Sequence, residues 1–379
     1  MCNNSTTVCN DFISLIYYNE FVNKKTIKEG HKQYVPKWND IFSKLQREIQ
    51  KGGNEMKHIY ILATGGTISA EGPKGKTAGY RDGAFDVDAL IRAVDGLGAL
   101  AQVQGEQIFN ISSDDVTREN WLTLAGRINT LSRDPEIDGF VITHGTNTME
   151  ETAFFLQMTV KTDKPVVLTG SMRPATANSA DGPQNLYEAV ALAASEEARG
   201  KGVLVVFSDG IYSASMVQKQ NCFRPEAFSG RDFGCLGYMQ DRRAMFLQSP
   251  ARPHTTQTAF DTAGLQKLPD VEIAYFYADA STEILDALAA KADGLVVAGA
   301  GAGLMSKAWQ ARVSEISCRI PVVRCTRIGS GYVGRDVCDE TLGAICGGTH
   351  SPVQSRILLM LALTGTKDPE ALAEVFRIY

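Results

Sequence analysis

The sequence predicts two α/β domains, a larger N-terminal doubly wound domain on a mainly parallel sheet and a smaller C-terminal α/β domain. Short apolar runs alternate with segments of helical periodicity, a polar stretch interrupts the alternation once, and the alternation then resumes. A chain of 379 residues also exceeds the usual size of one domain.

Residues 1–55 stand apart, rich in Asn, Lys and Tyr and poor in Ala and Gly. Within this N-terminal extension Trp38, Ile41, Phe42, Leu45 and Ile49 recur at helical spacing, so Pro36–Lys51 reads as an amphipathic helix. From Met56 the character changes. Met56–Ala63 reads as a buried first strand closed by the turn Thr64-Gly65-Gly66-Thr67. Gly139–Thr143, Pro165–Thr169 and Val203–Ser208 follow as strands, with helices at Val87–Val94, Arg118–Thr130, Met149–Thr159 and Pro183–Ala198. These elements make residues 56–249 the N-terminal domain. Pro250–Pro269 is polar and without period, a linker over 250–269. Residues 270–379 form the second domain: strand Val271–Phe276, helix Ser281–Lys291, strand Gly294–Ala298, helix Leu304–Ser314, strand Ile320–Cys325 and closing helix Ser351–Leu363.

Composition narrows the function classes. Hydrophobic residues make up 44% and charged residues 21%, a soluble globular balance. Lys and Arg number 38 against 43 Asp and Glu, with no basic block, so no nucleic-acid partner is expected. The eight cysteines (2, 9, 222, 235, 318, 325, 338 and 346) contain no C-x-x-C pair, and the five histidines are scattered, so no metal is expected. Unpaired thiols fit a reducing compartment, and the cytoplasm is the expected location. No run approaches the ~20 apolar residues of a membrane span. Residues 11–23 are interrupted by Asp11, Asn19 and Glu20 and lack a basic leader, which makes a poor secretory signal.

Three threonine-containing turns follow predicted strands: Thr64–Thr67, Thr143-His144-Gly145-Thr146-Asn147-Thr148, and Thr169-Gly170-Ser171-Met172-Arg173-Pro174. In a doubly wound sheet such turns line one crevice at the C-terminal strand ends. Glycines there let backbone N–H groups approach a ligand, and a hydroxyl nucleophile needs a base, for which Lys219 is a candidate. Each turn taken singly reads more readily as an ordinary capped connection, and the three together point to a site. Two phosphate-like motifs are set aside. Gly329-Ser330-Gly331-Tyr332-Val333-Gly334 is not followed by a helix start, and Gly299-Ala300-Gly301-Ala302-Gly303, which opens a helix, has the wrong spacing.

Ile61-Leu62-Ala63-Thr64-Gly65-Gly66-Thr67-Ile68 resembles the first signature of the bacterial L-asparaginase family, and Gly139–Ala153 resembles the second in all but one position. Met172-Arg173-Pro174, Ser179-Ala180-Asp181-Gly182-Pro183 and Leu359–Pro369 continue the resemblance, which covers about 56–379 and is most like the type II branch. It implies hydrolysis of L-asparagine, with L-glutamine as a second substrate, to the amino acid and ammonia, without a cofactor. It implies Thr67 as nucleophile, Tyr80 polarising it from a loop over the site, and Thr146 with Lys219 as a second hydroxyl–amine pair. Ser113 would hold the substrate α-carboxylate, with Asp114 and Asn147 at the α-ammonium and Gly66 and Gly145 lining the pocket. Asp336 falls where the family supplies a glutamate from a neighbouring subunit, implying an intimate dimer, and family members pair these into tetramers.

The chain departs from the family at Asn147 and Asp114, which stand for an aspartate and for a glutamine or glutamate. Asp336 is one methylene short, and Asp279 stands where some relatives have asparagine. Ser132 and Thr162 replace a cysteine pair of some periplasmic relatives. Asn147 implies slowed hydrolysis and a gain on Asn147→Asp. Two alternatives remain at this point: a tRNA-dependent amidotransferase subunit, and a catalytically weak amino-acid-binding homologue.

Overall fold

A computed structural model describes residues 56–77, 85–335 and 341–379. The helix expected at Pro36–Lys51, with the rest of the N-terminal extension, lies outside the described residues, as do Tyr80 and Asp336.

The larger domain is an eight-stranded sheet in the order β10-β9-β6-β5-β4-β3-β1-β2. Its parallel part comprises β1 (His58–Gly65), β2 (Gln102–Ile111), β3 (Gly139–Thr143), β4 (Val166–Thr169) and β5 (Val203–Phe207). β3, β4 and β5 are fully buried, as continuous apolar runs require when helices cover both faces of a sheet. Alternation along β1 shows the two layers. Ile59, Ile61 and Ala63 pack into one core with Leu90 of α1 (Val87–Arg92) and Leu186 and Val190 of α4 (Gly182–Ala193). Tyr60 and Leu62 pack into the other, with Leu124 and Ile128 of α2 (Arg118–Leu131) and Phe154 and Phe155 of α3 (Met149–Thr159).

At Ser208 (φ 46°) and Asp209 (φ 64°) a two-residue turn reverses the chain. Three strands then extend the sheet antiparallel: β6 (Gly210–Ser213), β9 (Gly237–Gln240) and β10 (Arg243–Phe246). Between them a short ribbon, β7 (Gln218–Lys219) with β8 (Phe228–Ser229), carries Lys219.

The segment 250–269 is not a free strap. His254, Thr255, Thr258, Phe260 and Leu268 are buried, and Lys161 Nζ donates to Thr258 O at 2.8 Å. The smaller domain is a four-stranded parallel sheet, β11 (Val271–Tyr275), β12 (Gly294–Gly299), β13 (Val322–Thr326) and β14 (Ile345–Cys346). α5 (Glu283–Ala289) and α6 (Lys307–Ser317) cover one face through Leu285, Trp309 and Val313. α7 (Pro352–Ala362) covers the other and joins the core of the larger domain through Ile357, Leu358 and Leu361. α8 (Pro369–Ile378) packs Leu372 and Phe376 into the same core.

Several boundaries differ from expectation for local reasons. The helix expected to start at Leu304 starts at Lys307, because Ser306 Oγ accepts the Trp309 N–H at 3.3 Å as its cap. Gly299–Gly303 therefore opens no helix; it is a turn closed by a bridge between Ala300 and Leu304. The helix expected over Pro183–Ala198 ends at Ala193, and Ser195 caps a separate 3-10 turn at Glu196–Ala198. Among the described residues no helix is long and apolar enough to cross a membrane.

Candidate active site

The strand order β2-β1-β3-β4-β5 has its switch point between β1 and β3, where connections leave towards opposite faces and a crevice opens at the C-terminal ends. The turns after β1 and β3 meet there. Gly66 has φ 83°, and a Cβ added to it would collide with the N and Cα of Gly145. Gly145 is equally confined, since its own Cβ would fall 2.6 Å from Ser113 Oγ. Only glycine fits at these two positions, and their contact brings three connections together, after β1, β2 and β3.

Thr67 begins the 3-10 turn Thr67–Ser69 and is 7% exposed. Ser69 Oγ donates to Gly66 O at 2.8 Å, which fixes the turn from behind. Ser113, in the turn after β2, accepts the Asn147 N–H on its Oγ at 3.2 Å and the Thr148 hydroxyl on its carbonyl at 2.7 Å. Lys219 reaches the β3 turn from the ribbon: its Nζ lies 2.9 Å from Thr146 Oγ1 and 2.7 Å from Asn147 Oδ1. The Asn147 amide then donates through Nδ2 to both carboxylate oxygens of Asp114, at 3.0 and 3.2 Å. One amide thus bridges an ammonium and a carboxylate, its oxygen facing the cation and its nitrogen the anion.

Burial pushes the Lys219 ammonium below the usual lysine value, against the opposing attraction of Asp114, Cys222 and Glu150. Its backbone is held by Glu150 Oε2, which accepts the Lys219 N–H at 2.6 Å. Burial pushes the Glu150 carboxyl up to about 7, with that N–H opposing the shift. Beneath the turn, His144 is buried and its imidazole is driven down to about 4 by desolvation.

Eight of the ten residues singled out from the sequence converge at this crevice: Gly66, Thr67, Ser113, Asp114, Gly145, Thr146, Asn147 and Lys219. Tyr80 and Asp336 lie outside the described residues. Sequence reasoning named no role for Glu150, His144 or Thr152, which support the site from below. The signal was a histidine, a glutamate and a threonine beside a glycine turn, legible only once the turn is known to be buried. Among the described residues no group of three or more His, Cys, Asp and Glu is placed to hold a metal ion.

The family described as "Asparaginase, N-terminal" matches residues 58–252, and "Glutaminase/Asparaginase C-terminal domain" matches 270–376. L-asparaginase 2 of Escherichia coli is 44% identical over 86% of this chain and 94% of its own length. A probable periplasmic L-asparaginase of Haemophilus influenzae is 43% identical over 85% of this chain and 93% of its own. A glutaminase-asparaginase of Pseudomonas fluorescens biotype A is 40% identical over 86% of this chain and 91% of its own. The crystal structure of a probable cytoplasmic L-asparaginase from Campylobacter jejuni superposes with a TM-score of 0.83 at 45% identity, covering 85% of this chain and all of that one. With both domain profiles matched and such identity spread along residues that include the crevice, the chain belongs to the asparaginase family.

Proposed function

We propose that this chain is an amidohydrolase that releases ammonia from L-asparagine, and from L-glutamine as a second substrate, through a threonine ester. The observation that carries the reading is the Lys219–Thr146 contact of 2.9 Å, held where the turn bearing Thr67 meets the turn bearing Thr146. In this reading Thr67 Oγ1 attacks the side-chain amide carbon, and its proton passes towards Tyr80 or the Lys219 amine. The amide nitrogen leaves as ammonia and water then cleaves the ester. A desolvated lysine supports this role, because an amine that loses its proton more easily serves better as an acceptor near neutral pH. Glycine-turn N–H groups take the developing oxyanion, and Ser113, Asp114 and Asn147 take the α-carboxylate and α-ammonium.

A site shared between subunits follows from Asp336, and the surface supports self-association. Tyr275, Tyr277, Leu304, Ile328 and Tyr332 are exposed, Tyr275 at the C-terminal end of β11 and the others in the connections after the neighbouring strands β11, β12 and β13. A dimer of intimate dimers would cover them. A cytoplasmic setting fits the thiols of Cys222, Cys235, Cys318 and Cys325, which form no disulfide, and the compartment named for the Campylobacter relative.

The test is ammonia release on both amides by the parent and by Thr67→Ala. The parent should turn over, and the variant should lose orders of magnitude while keeping its melting temperature. Aspartate binding by calorimetry with no ammonia from the parent would identify a binding protein instead.

A further inference from the structure

His144 is 1% exposed and lies directly under the turn, yet takes no part in the chemistry proposed above. Its Nδ1 is 2.7 Å from Gly145 O, and its Nε2 is 2.9 Å from Thr152 Oγ1. Thr152 Oγ1 is in turn 2.9 Å from Trp121 Nε1, on α2. The direction of each bond follows from what each group is able to do. An indole N–H only donates, so the Thr152 hydroxyl accepts from Trp121 and keeps its own proton to give elsewhere. A carbonyl oxygen only accepts, so Nδ1 carries the imidazole proton and donates to Gly145 O. Burial disfavours a second proton on the ring, so the imidazole is neutral in a single tautomer, with Nε2 bare and accepting the Thr152 hydroxyl proton.

The Gly145 carbonyl shares one rigid plane with the N–H of Thr146. Fixing that oxygen sets the tilt of the plane, and with it the position from which Thr146 Oγ1 meets Lys219 Nζ. We propose that Trp121, Thr152 and His144 form a one-directional hydrogen-bond relay that orients the Gly145–Thr146 peptide, making Thr152 and His144 positioning residues for the Thr146–Lys219 pair. The proposal rests on the amidohydrolase reading of that pair. Because desolvation holds His144 down to about 4, the donor at Nδ1 persists through the neutral range.

Thr152→Val keeps the side-chain shape and removes the hydroxyl, so Nε2 loses its donor and either tautomer is open. With the proton on Nε2, the Nδ1 lone pair would face Gly145 O and push the peptide away. The expected result is a kcat for ammonia release lower by about tenfold to a hundredfold, with KM moved by less, as small misplacements of reacting groups produce. Thr152→Ser should restore kcat to within about threefold of the parent. In the parent, imidazole 15N NMR should show His144 protonated at Nδ1, bare at Nε2, and unchanged from pH 5 to 8. Trp121→Phe keeps the stacking on Phe155 and removes only the N–H, which should lower kcat by a smaller factor.

Parent kcat in Thr152→Val, or a parent His144 protonated at Nε2, overturns the relay. Rates that follow only the thermal stability of the Val and Ser variants overturn it also. Should Thr152→Val fail to fold, the parent tautomer and the Trp121→Phe rate decide. A parent with the expected tautomer but no ammonia release would count against the amidohydrolase reading, not against the relay.

Discussion

The turns after β3 and β4 start alike, Thr143-His144-Gly145 beside Thr169-Gly170-Ser171, on neighbouring parallel strands. Their polar groups have different fates. In the β4 turn the polar groups are tied into the scaffold: Asp181 accepts the Met172 and Arg173 N–H groups at 2.9 Å each, and Ser171 Oγ donates to Arg173 O. Asn185 Nδ2 donates to Gly170 O, and Thr169 Oγ1 donates to Val206 O. In the β3 turn the side chains of Thr146 and Asn147 meet a lysine and an aspartate brought from other segments. The β4 turn then buttresses its neighbour, since His144 N–H donates to Thr169 O at 2.9 Å. A threonine–glycine turn on a parallel strand marks a crevice wall; what its side chains face separates wall from working part.

Four changes break or sharpen that contrast. Lys219→Met, nearly isosteric, should lower ammonia release by about 10²- to 10⁴-fold while leaving the melting temperature almost unmoved. A loss below tenfold would return the β3 turn to the same class as the β4 turn.

The second change acts on the bridging amide. In Asn147→Asp, two carboxylates would face each other at hydrogen-bond distance with no donor between them. The gain expected from the sequence is therefore revised: this variant should be no faster than the parent. Asp114→Asn combined with Asn147→Asp restores one amide and one carboxylate, and should recover rate over the single variant by about 10- to 150-fold, the weight of a charged hydrogen bond. A double-mutant cycle showing additive effects would mean that the two side chains do not act together.

The third acts on the buttress. Asp181→Ala leaves two backbone N–H groups without their acceptor and should cost about 2–3 kcal/mol of stability, read as a Tm lower by ~4–8 °C. kcat at a temperature where the variant is folded should stay within about threefold of the parent. A collapse of kcat in the fully folded variant would show that the β4 turn works directly.

The smallest effect is on pH. Glu150→Gln keeps an acceptor for the Lys219 N–H and removes an anion that favours the ammonium. Lys219 should then lose its proton at lower pH, moving the acid limb of the rate profile acidward by less than about one unit. The shift belongs above about pH 7, since burial keeps Glu150 protonated and neutral below that, and a basic shift would contradict the sign.

The parallel core was legible because β1, β3, β4, β5, β12 and β13 are buried almost throughout and read as runs, while β11 keeps enough apolar residues around Glu272 to be read with them. β2 was not: it is an edge strand, and its Gln102, Gln104, Glu106 and Gln107 break the pattern. Those polar groups are satisfied from the side, as where Glu106 takes Arg127 and Tyr60. β9 and β10 escaped because each is four residues long and alternates buried with exposed side chains, and α8 because it begins at Pro369 soon after another helix ends. At the site, Thr67, Thr146 and Lys219 were legible from glycine turns and resemblance. Their meeting in one crevice was expected; the contacts that make it, Gly66 on Gly145 and Lys219 on Thr146, were not, because sequence carries no strand order. The role of Thr152 was hidden since its partner Trp121 lies on a different helix.

The contact of Gly66 with Gly145 has a consequence for how the molecule comes into being. The pieces of the crevice sit at residues 66, 113, 145 and 219, and no contact among these four is local in sequence. Parallel strands close their loops before any contact rewards them, so such a centre forms late in folding. A nascent chain released before the ribbon bearing Lys219 has been made would carry the two threonine turns without the amine between β7 and the β3 turn. Return of activity during refolding would then time the docking of that ribbon, after the sheet itself has aligned.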